Sequence, residues 1–179
     1  GLDDKVVTSW NGLALRALAE AGAKLEEPRY LDAARRTARF LIDRLHRADG
    51  RLLRSWSPHA PQDDGVAGFL EDHAALAVGL LALYQATGET EWHAAARHTV
   101  DAMLDLFDDG TLHRVGRDAE QLVADPQDLF DNPLPSGNSL AAEALLQLSL
   151  STGEQRYREA AEVALRAGAG IAARYPTAV

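Results

Sequence analysis

Residues 73–98 read "HAALAVGLLALYQATGETEWHAAARH", and this stretch decides the fold. Its first part, "HAALAVGLLALY", is apolar nearly all round, the mark of a helix buried on several sides. A short polar turn, "ATGETE", follows, and then an aromatic, Trp92, with two residues between it and the pair Ala95-Ala96. The same pattern occurs twice more. "NGLALRALAEAGAKLEEPRYLDAARR" runs from Asn11 with Tyr30 and Ala33-Ala34, and "NSLAAEALLQLSLSTGEQRYREAAEV" runs from Asn138 with Tyr157 and Ala160-Ala161. The three aromatics are 62 and 65 residues apart, so the repeat is internal and regular.

Each copy reads as an αα-hairpin. In the first, Tyr30, Ala33, Ala34, Thr37, Phe40, Leu41 and Leu45 recur at helical spacing, while Arg35, Arg36, Arg39, Asp43 and Arg47 fill the opposite face. Small residues at the packed positions let helix axes approach closely. Inner helices surrounded by outer helices predict an all-α, layered ring or solenoid. About 20 extra residues separate one hairpin from the next, more than the common helical solenoids carry. Two of these excursions, "ADGRLLRSW" (48–56) and "DDGTLHRV" (108–115), hold a glycine turn followed by a strand-like stretch. Short β-ribbons between hairpins suit an α/α toroid. The hairpins are expected over about 9–47, 71–107 and 136–175.

The chain has 179 residues, enough for one core of normal size. With 18 Lys and Arg against 27 Asp and Glu, its net charge of −9 argues against a nucleic-acid partner. It has no cysteine, which removes disulfides, thiolate zinc sites and the Cys-containing zinc centres of other toroid enzymes. The histidines lack ligand spacing, and no metal or other cofactor is called for. No stretch has the apolar length of a membrane span, and "GLDDKVV" does not read as a signal peptide. A cytoplasmic location is the default expectation.

The segments "DDKVVTSWNGLALRALAEAG" (3–22), "GFLEDHAALAVGLLALYQATG" (68–88) and "PQDLFDNPLPSGNSLAAEALLQL" (126–148) resemble the YyaL family, bacterial relatives of the spermatogenesis-associated thioredoxin-domain proteins. That resemblance implies a thioredoxin-like domain followed by an (α/α)6 toroid of the six-hairpin glycosidase type, of which this chain would be three hairpins without the thioredoxin part. The family usually has Tyr at the place of His73 and a Gly-Ala-like pair at Asn132-Pro133. A half-ring would expose apolar inner-helix surface, so self-association or a missing half of the toroid is expected as partner.

The residues opening the three inner helices are Ser9-Trp10-Asn11, Glu71-Asp72-His73 and Ser136-Gly137-Asn138. In a toroid these starts gather at one mouth, where helix N-termini favour hydroxyl-rich or anionic ligands. The plain alternative is capping: Ser9, Asp72 and Ser136 are good N-cap residues, each worth ~1 kcal/mol. An indole at position 10 is not needed for a cap, so Trp10 either stacks on a sugar or anchors the core. Glycoside hydrolysis needs two carboxyl groups across the substrate. Glu71 and Asp72 are adjacent, so a pair would join one of them with Asp131, or with Asp3 or Asp4. His73 is open to two readings, a structural histidine or a proton-transfer base of the kind used by sugar 2-epimerases of this fold. "DPQDLFDNP" (125–133) matches no calcium or magnesium motif and reads best as a loop held by Asx turns.

The candidate catalytic residues are thus Glu71, Asp72 and Asp131. The candidate binding residues are Trp10, Asn11, His73, Ser136, Gly137 and Asn138, with a small carbohydrate as ligand. A non-catalytic helical scaffold for protein–protein interaction is the alternative.

Overall fold

The computed structural model describes residues 4–47, 51–59, 65–117, 129–131 and 133–174. Six helices form three αα-hairpins: α1 (Thr8–Lys24) with α2 (Pro28–Leu45), α3 (Leu70–Thr87) with α4 (Thr90–Phe107), and α5 (Gly137–Thr152) with α6 (Gln155–Arg174). The inner helices are α1, α3 and α5. Helix α3 lies between the other two and buries every residue from Asp72 to Leu83, as its lack of a polar face requires. The outer helices bury single stripes, Ala34, Ala38, Leu41 and Leu45 on α2, and Trp92, Ala96, Thr99, Val100, Met103 and Phe107 on α4. Tyr157, Ala160, Ala161, Ala164 and Gly168 form the stripe of α6.

Helices α3 and α5 both end at a glycine in the left-handed region, Gly88 at φ 71° and Gly153 at φ 73°. Lacking a Cβ, glycine enters this conformation without steric cost and lets the chain reverse at once into the next helix.

The strand-like excursions are shorter than their sequences suggest. Strand β1 (Val6–Val7) pairs antiparallel with β2 (Ser55–Trp56), in register Val6 to Trp56. Single bridges join His46 to Leu52, Leu53 to Ala67, and Asp108 to Leu112. The ribbon packs on the first hairpin through Trp56, whose ring meets Phe40 edge-on at 5.3 Å.

A polar chain crosses the inner helices. Arg16 on α1 pairs with Glu20 and with Glu143 on α5, both at 2.8 Å. Gln147 donates to Glu143 at 3.0 Å, and Gln85 on α3 donates to Gln147 at 3.0 Å. Leu146 and Leu150 of α5 are exposed. No helix among the described residues is long and apolar enough to cross a membrane.

Candidate functional site

The three inner-helix starts meet at one end of the molecule, each held in its own way. Helix α1 begins at Thr8, two residues earlier than Ser9 capping requires, and Val7 before it offers no side-chain acceptor. The orphan N–H groups of its first turn are satisfied from elsewhere in the chain. Thr8 N donates to Arg54 O at 2.9 Å, Thr8 Oγ1 donates to Leu53 O at 2.5 Å, and Ser9 N donates to Asp72 Oδ1 at 3.1 Å. Ser9 therefore sits inside the first turn and is not its cap.

Helix α3 follows Phe69, whose backbone N–H donates to Asp72 Oδ2 at 2.9 Å, so Asp72 closes its own helix start from the third position. Leu70 N donates to Arg114 O at 3.1 Å. Asp72 is fully buried and joins the first turns of α1 and α3. Burial pushes its pKa up and Glu71 adds to that, against the Phe69 amide, the Arg54 charge and the Ser9 amide.

Helix α5 is capped by Ser136, whose Oγ accepts from Ser139 N at 3.1 Å. Asp131 Oδ1 accepts from Ser136 N at 2.8 Å and from Ser139 Oγ at 3.0 Å, tying the preceding loop to this turn. A Cβ on Gly137 would lie 3.0 Å from Glu71 N and 3.3 Å from its Cα, so glycine is what lets the starts of α5 and α3 touch.

Between these starts lies an open cleft of about 340 Å³. Ser9, Trp10 and Leu13 of α1 form one wall, Arg54 and Glu71 contribute charge, and Phe130, Pro133–Ser136 and Leu140 complete it. Trp10 is 63% exposed, so it is not a core anchor. Glu71 Oε1 pairs with Arg54 Nη1 at 3.1 Å and Arg114 Nη2 at 3.5 Å, while its Oε2 is buried with no hydrogen-bond partner. Both guanidiniums lie over the Phe69 ring, at 4.7 and 5.1 Å from its centroid.

Of the candidates from sequence, Trp10, Glu71 and Ser136 line this cleft. The others lie elsewhere. Asn11 donates to Val7 O at 2.8 Å, at the residue just ahead of its own helix. Asn138 is buried and donates to Ala164 O of α6 at 2.9 Å. Asp72 and Asp131 hold helix starts through the contacts above, and Gly137 serves the helix–helix approach. Asp4 accepts from Ser57 Oγ at 3.4 Å and lies 3.5 Å from His59, away from the cleft, and Asp3 lies outside the described residues. Residues 125–128 and Asn132 of the Asp-rich loop also lie outside them.

His73 departs furthest from a proton-transfer role. It lines a separate cavity of about 50 Å³ with Phe69, Leu106 and Phe107, and its ring meets Phe107 edge-on at 5.0 Å. Its Nδ1 faces Phe69 O at 3.1 Å, so that nitrogen carries the proton of the neutral ring. Burial pulls its pKa from 6.5 down to about 4. The unfolded chain therefore binds a proton below pH 6.5 that the folded chain refuses until about pH 4. This stability is full above the unfolded value and is lost as pH falls towards the folded one. Urea unfolding at pH 5 should report about 2 kcal/mol less stability than at pH 7 from this group. His46, also held low chiefly by burial, acts in the same direction. In His73→Leu the slope of stability against pH should flatten, whatever the offset; an unchanged slope contradicts the assignment.

Arg54 and Arg114, outside the candidates from sequence, join the site from the two excursions, and the sequence carries a signal for them. Each stands four residues after a glycine and two after a leucine, in "GRLLR" (50–54) and "GTLHR" (110–114). The excursions thus repeat as the hairpins do, and each brings an arginine to Glu71.

The arrangement is that of the six-hairpin α/α toroids. Cellobiose 2-epimerase from Spirochaeta thermophila superposes with a TM-score of 0.68 at 24% identity, over 90% of this chain and 42% of that one. An α-mannanase from Bacteroides thetaiotaomicron gives 0.67 at 16% over 93% and 44%. Unsaturated glucuronyl hydrolase from Bacillus sp. GL1 gives 0.66 at 16% over 92% and 46%. At these identities the likeness establishes the fold. By sequence, the chain is a homologue of spermatogenesis-associated protein 20, a thioredoxin-domain family, over one segment of it. The human protein is 31% identical over 191 residues and the rat protein 32% over 193, in both cases across 99% of this chain. An uncharacterized Caenorhabditis elegans protein is 30% identical over 171 residues. The chain spans about a quarter of the length of these relatives. No protein-family profile matches it.

Proposed function

We propose that the cleft at the inner-helix starts binds a carbohydrate, and that this chain is a sugar-binding segment of an α/α toroid. The observation that carries the reading is the exposed indole of Trp10 beside the Glu71–Arg54 pair in one cleft. An aromatic face next to a carboxylate and a guanidinium matches a sugar, which offers an apolar C–H face and a rim of hydroxyls. Glu71 Oε2, buried without a hydrogen-bond partner, is a standing cost at the wall of this cleft. The toroid neighbours include an epimerase and hydrolases named for sugars, which agrees in ligand class.

The scaffold reading draws support from a different observation. Glu71 is the one carboxyl among the described cleft residues, and Asp72 and Asp131 are both engaged in holding helix starts. Two-carboxylate hydrolysis therefore has no pair within these residues, and the proposal is binding, with any chemistry needing a group from outside them.

A thermal-shift screen with glucose, mannose, cellobiose and mannobiose tests the reading. Stabilisation by at least one of them is expected, and it should disappear in Glu71→Gln. A flat response to every sugar favours the scaffold. Trp10→Ala should leave the ligand-free melting temperature within about 2 °C of wild type, because surface substitutions rarely cost more than ~0.5 kcal/mol.

A further inference from the structure

The outer helices meet through a repeating set of ion pairs. Arg35 on α2 reaches Glu89 ahead of α4 at 2.9 Å, and the equivalent Arg97 on α4 reaches Glu154 ahead of α6 at 2.7 Å. A second pair is conserved in position but inverted in sign: Arg39 with Glu91 at 3.8 Å, and Asp101 with Arg156 at 2.8 Å. Each junction also covers an aromatic. Trp92 is buried and donates from Nε1 to Glu89 at 2.6 Å, and Tyr157 is buried and donates to Asp101 at 2.7 Å.

The first hairpin carries the receiving half of this junction, and no described residue forms the donating half across from it. Glu27, Arg29 and Tyr30 hold the positions of Glu89, Glu91 and Trp92, yet Tyr30 is 40% exposed and Glu27 turns back to Arg29 at 2.9 Å. The last hairpin carries a donating half. Glu162 and Arg166 hold the positions of Arg35 and Arg39, pair with each other at 2.8 Å, and flank the exposed Leu165.

These two halves do not fit each other. Laid against α2, the α6 face sets Glu162 on Glu27 and Arg166 on Arg29, like charge on like at both positions. Opposed like charges discriminate against a wrong partner.

We infer that the edge formed by Glu27, Arg29 and Tyr30 is a docking face for the outer helix of a further αα-hairpin. That helix presents arginine where α2 has Arg35 and an acid where α2 has Arg39. The chain's own α6, in a second copy, is excluded as that partner. The relatives and the toroid structures, of which this chain spans about a quarter and 42–46%, have the length to supply such a helix.

The test rewrites α6 as the missing partner. In Glu162→Arg/Arg166→Glu both pairs become complementary to the α2 edge, and three hairpins joined to three can close a ring as a two-fold dimer. Sedimentation velocity over a dilution series, with circular dichroism to confirm folding, should show self-association at least about tenfold tighter than in wild type. Adding Glu27→Arg/Arg29→Glu to the same chain should reverse the gain. The inference is overturned if the rewritten chain associates no more tightly than wild type, or if its association survives the change at Glu27 and Arg29.

Discussion

Gly12→Ala should cost about 3 kcal/mol of stability. A Cβ at Gly12 would stand 2.5 Å from the carbonyl carbon of Ala75, 2.6 Å from its oxygen and 2.7 Å from Leu76 N. From the other side, a Cβ at Gly79 would stand 2.6 Å from Gly12 O. Helices α1 and α3 thus pack backbone on backbone, and no flexible side chain is available to give way. Overpacking ordinarily costs 1–3 kcal/mol; here the whole helix interface must move, which outweighs the ~1 kcal/mol that alanine gains in helix propensity. Gly170→Ala in α6 is the control, since nothing lies within 4 Å of its Cβ site and it is exposed. It should leave stability unchanged or raise it slightly. Urea midpoints at constant slope decide the matter, and a Gly12→Ala midpoint equal to wild type refutes the close packing.

Asp72→Ala should have an effect of similar size, about 3 kcal/mol, for a different reason. Its carboxylate accepts from Ser9 N and Phe69 N, and its removal leaves two amides at the α1 and α3 starts without their side-chain acceptor. Asp72→Asn keeps one acceptor oxygen and should cost less than alanine. The comparison has a pH signature. Since burial raises the folded pKa of Asp72 above its unfolded value, its proton binding adds stability that is full at low pH and is lost as pH rises through the folded pKa. Asp72→Asn removes that dependence and leaves the His73 slope intact. Equal losses for Ala and Asn would mean that the side chain holds by packing alone.

The hairpins were legible because three copies share an aromatic, an alanine pair and a polar turn, and chance does not repeat that pattern. The all-apolar first helix correctly announced the burial of α3. The cleft was legible only in part, and helix geometry explains the division. At 3.6 residues per turn each residue is rotated about 100° from the last, so the three residues of a helix start do not all share a face. Once Glu71 lines the cleft, Asp72 turns toward α1 and His73 toward Phe107. Trp10 and Asn11 part in the same way, as do Ser136 and Asn138. Reading each helix start as a block of three residues merged neighbours that face different ways. The capping of α1 was not legible at all, because Leu53, Arg54 and Asp72 supply it from far along the chain. Arg54 and Arg114 stand in excursions that read as β-ribbons between hairpins, and only the folded chain brings them to Glu71.

The most direct test of the sugar-binding reading is the fluorescence of Trp10. It is the exposed tryptophan of the three, with Trp56 half-buried and Trp92 buried. Iodide quenching should therefore report chiefly on position 10 in the free chain. With cellobiose or mannobiose added, the account predicts protection from quenching and a blue shift, both lost in Trp10→Phe. Quenching that is the same with and without saturating sugar, or protection that persists in Trp10→Phe, would contradict it.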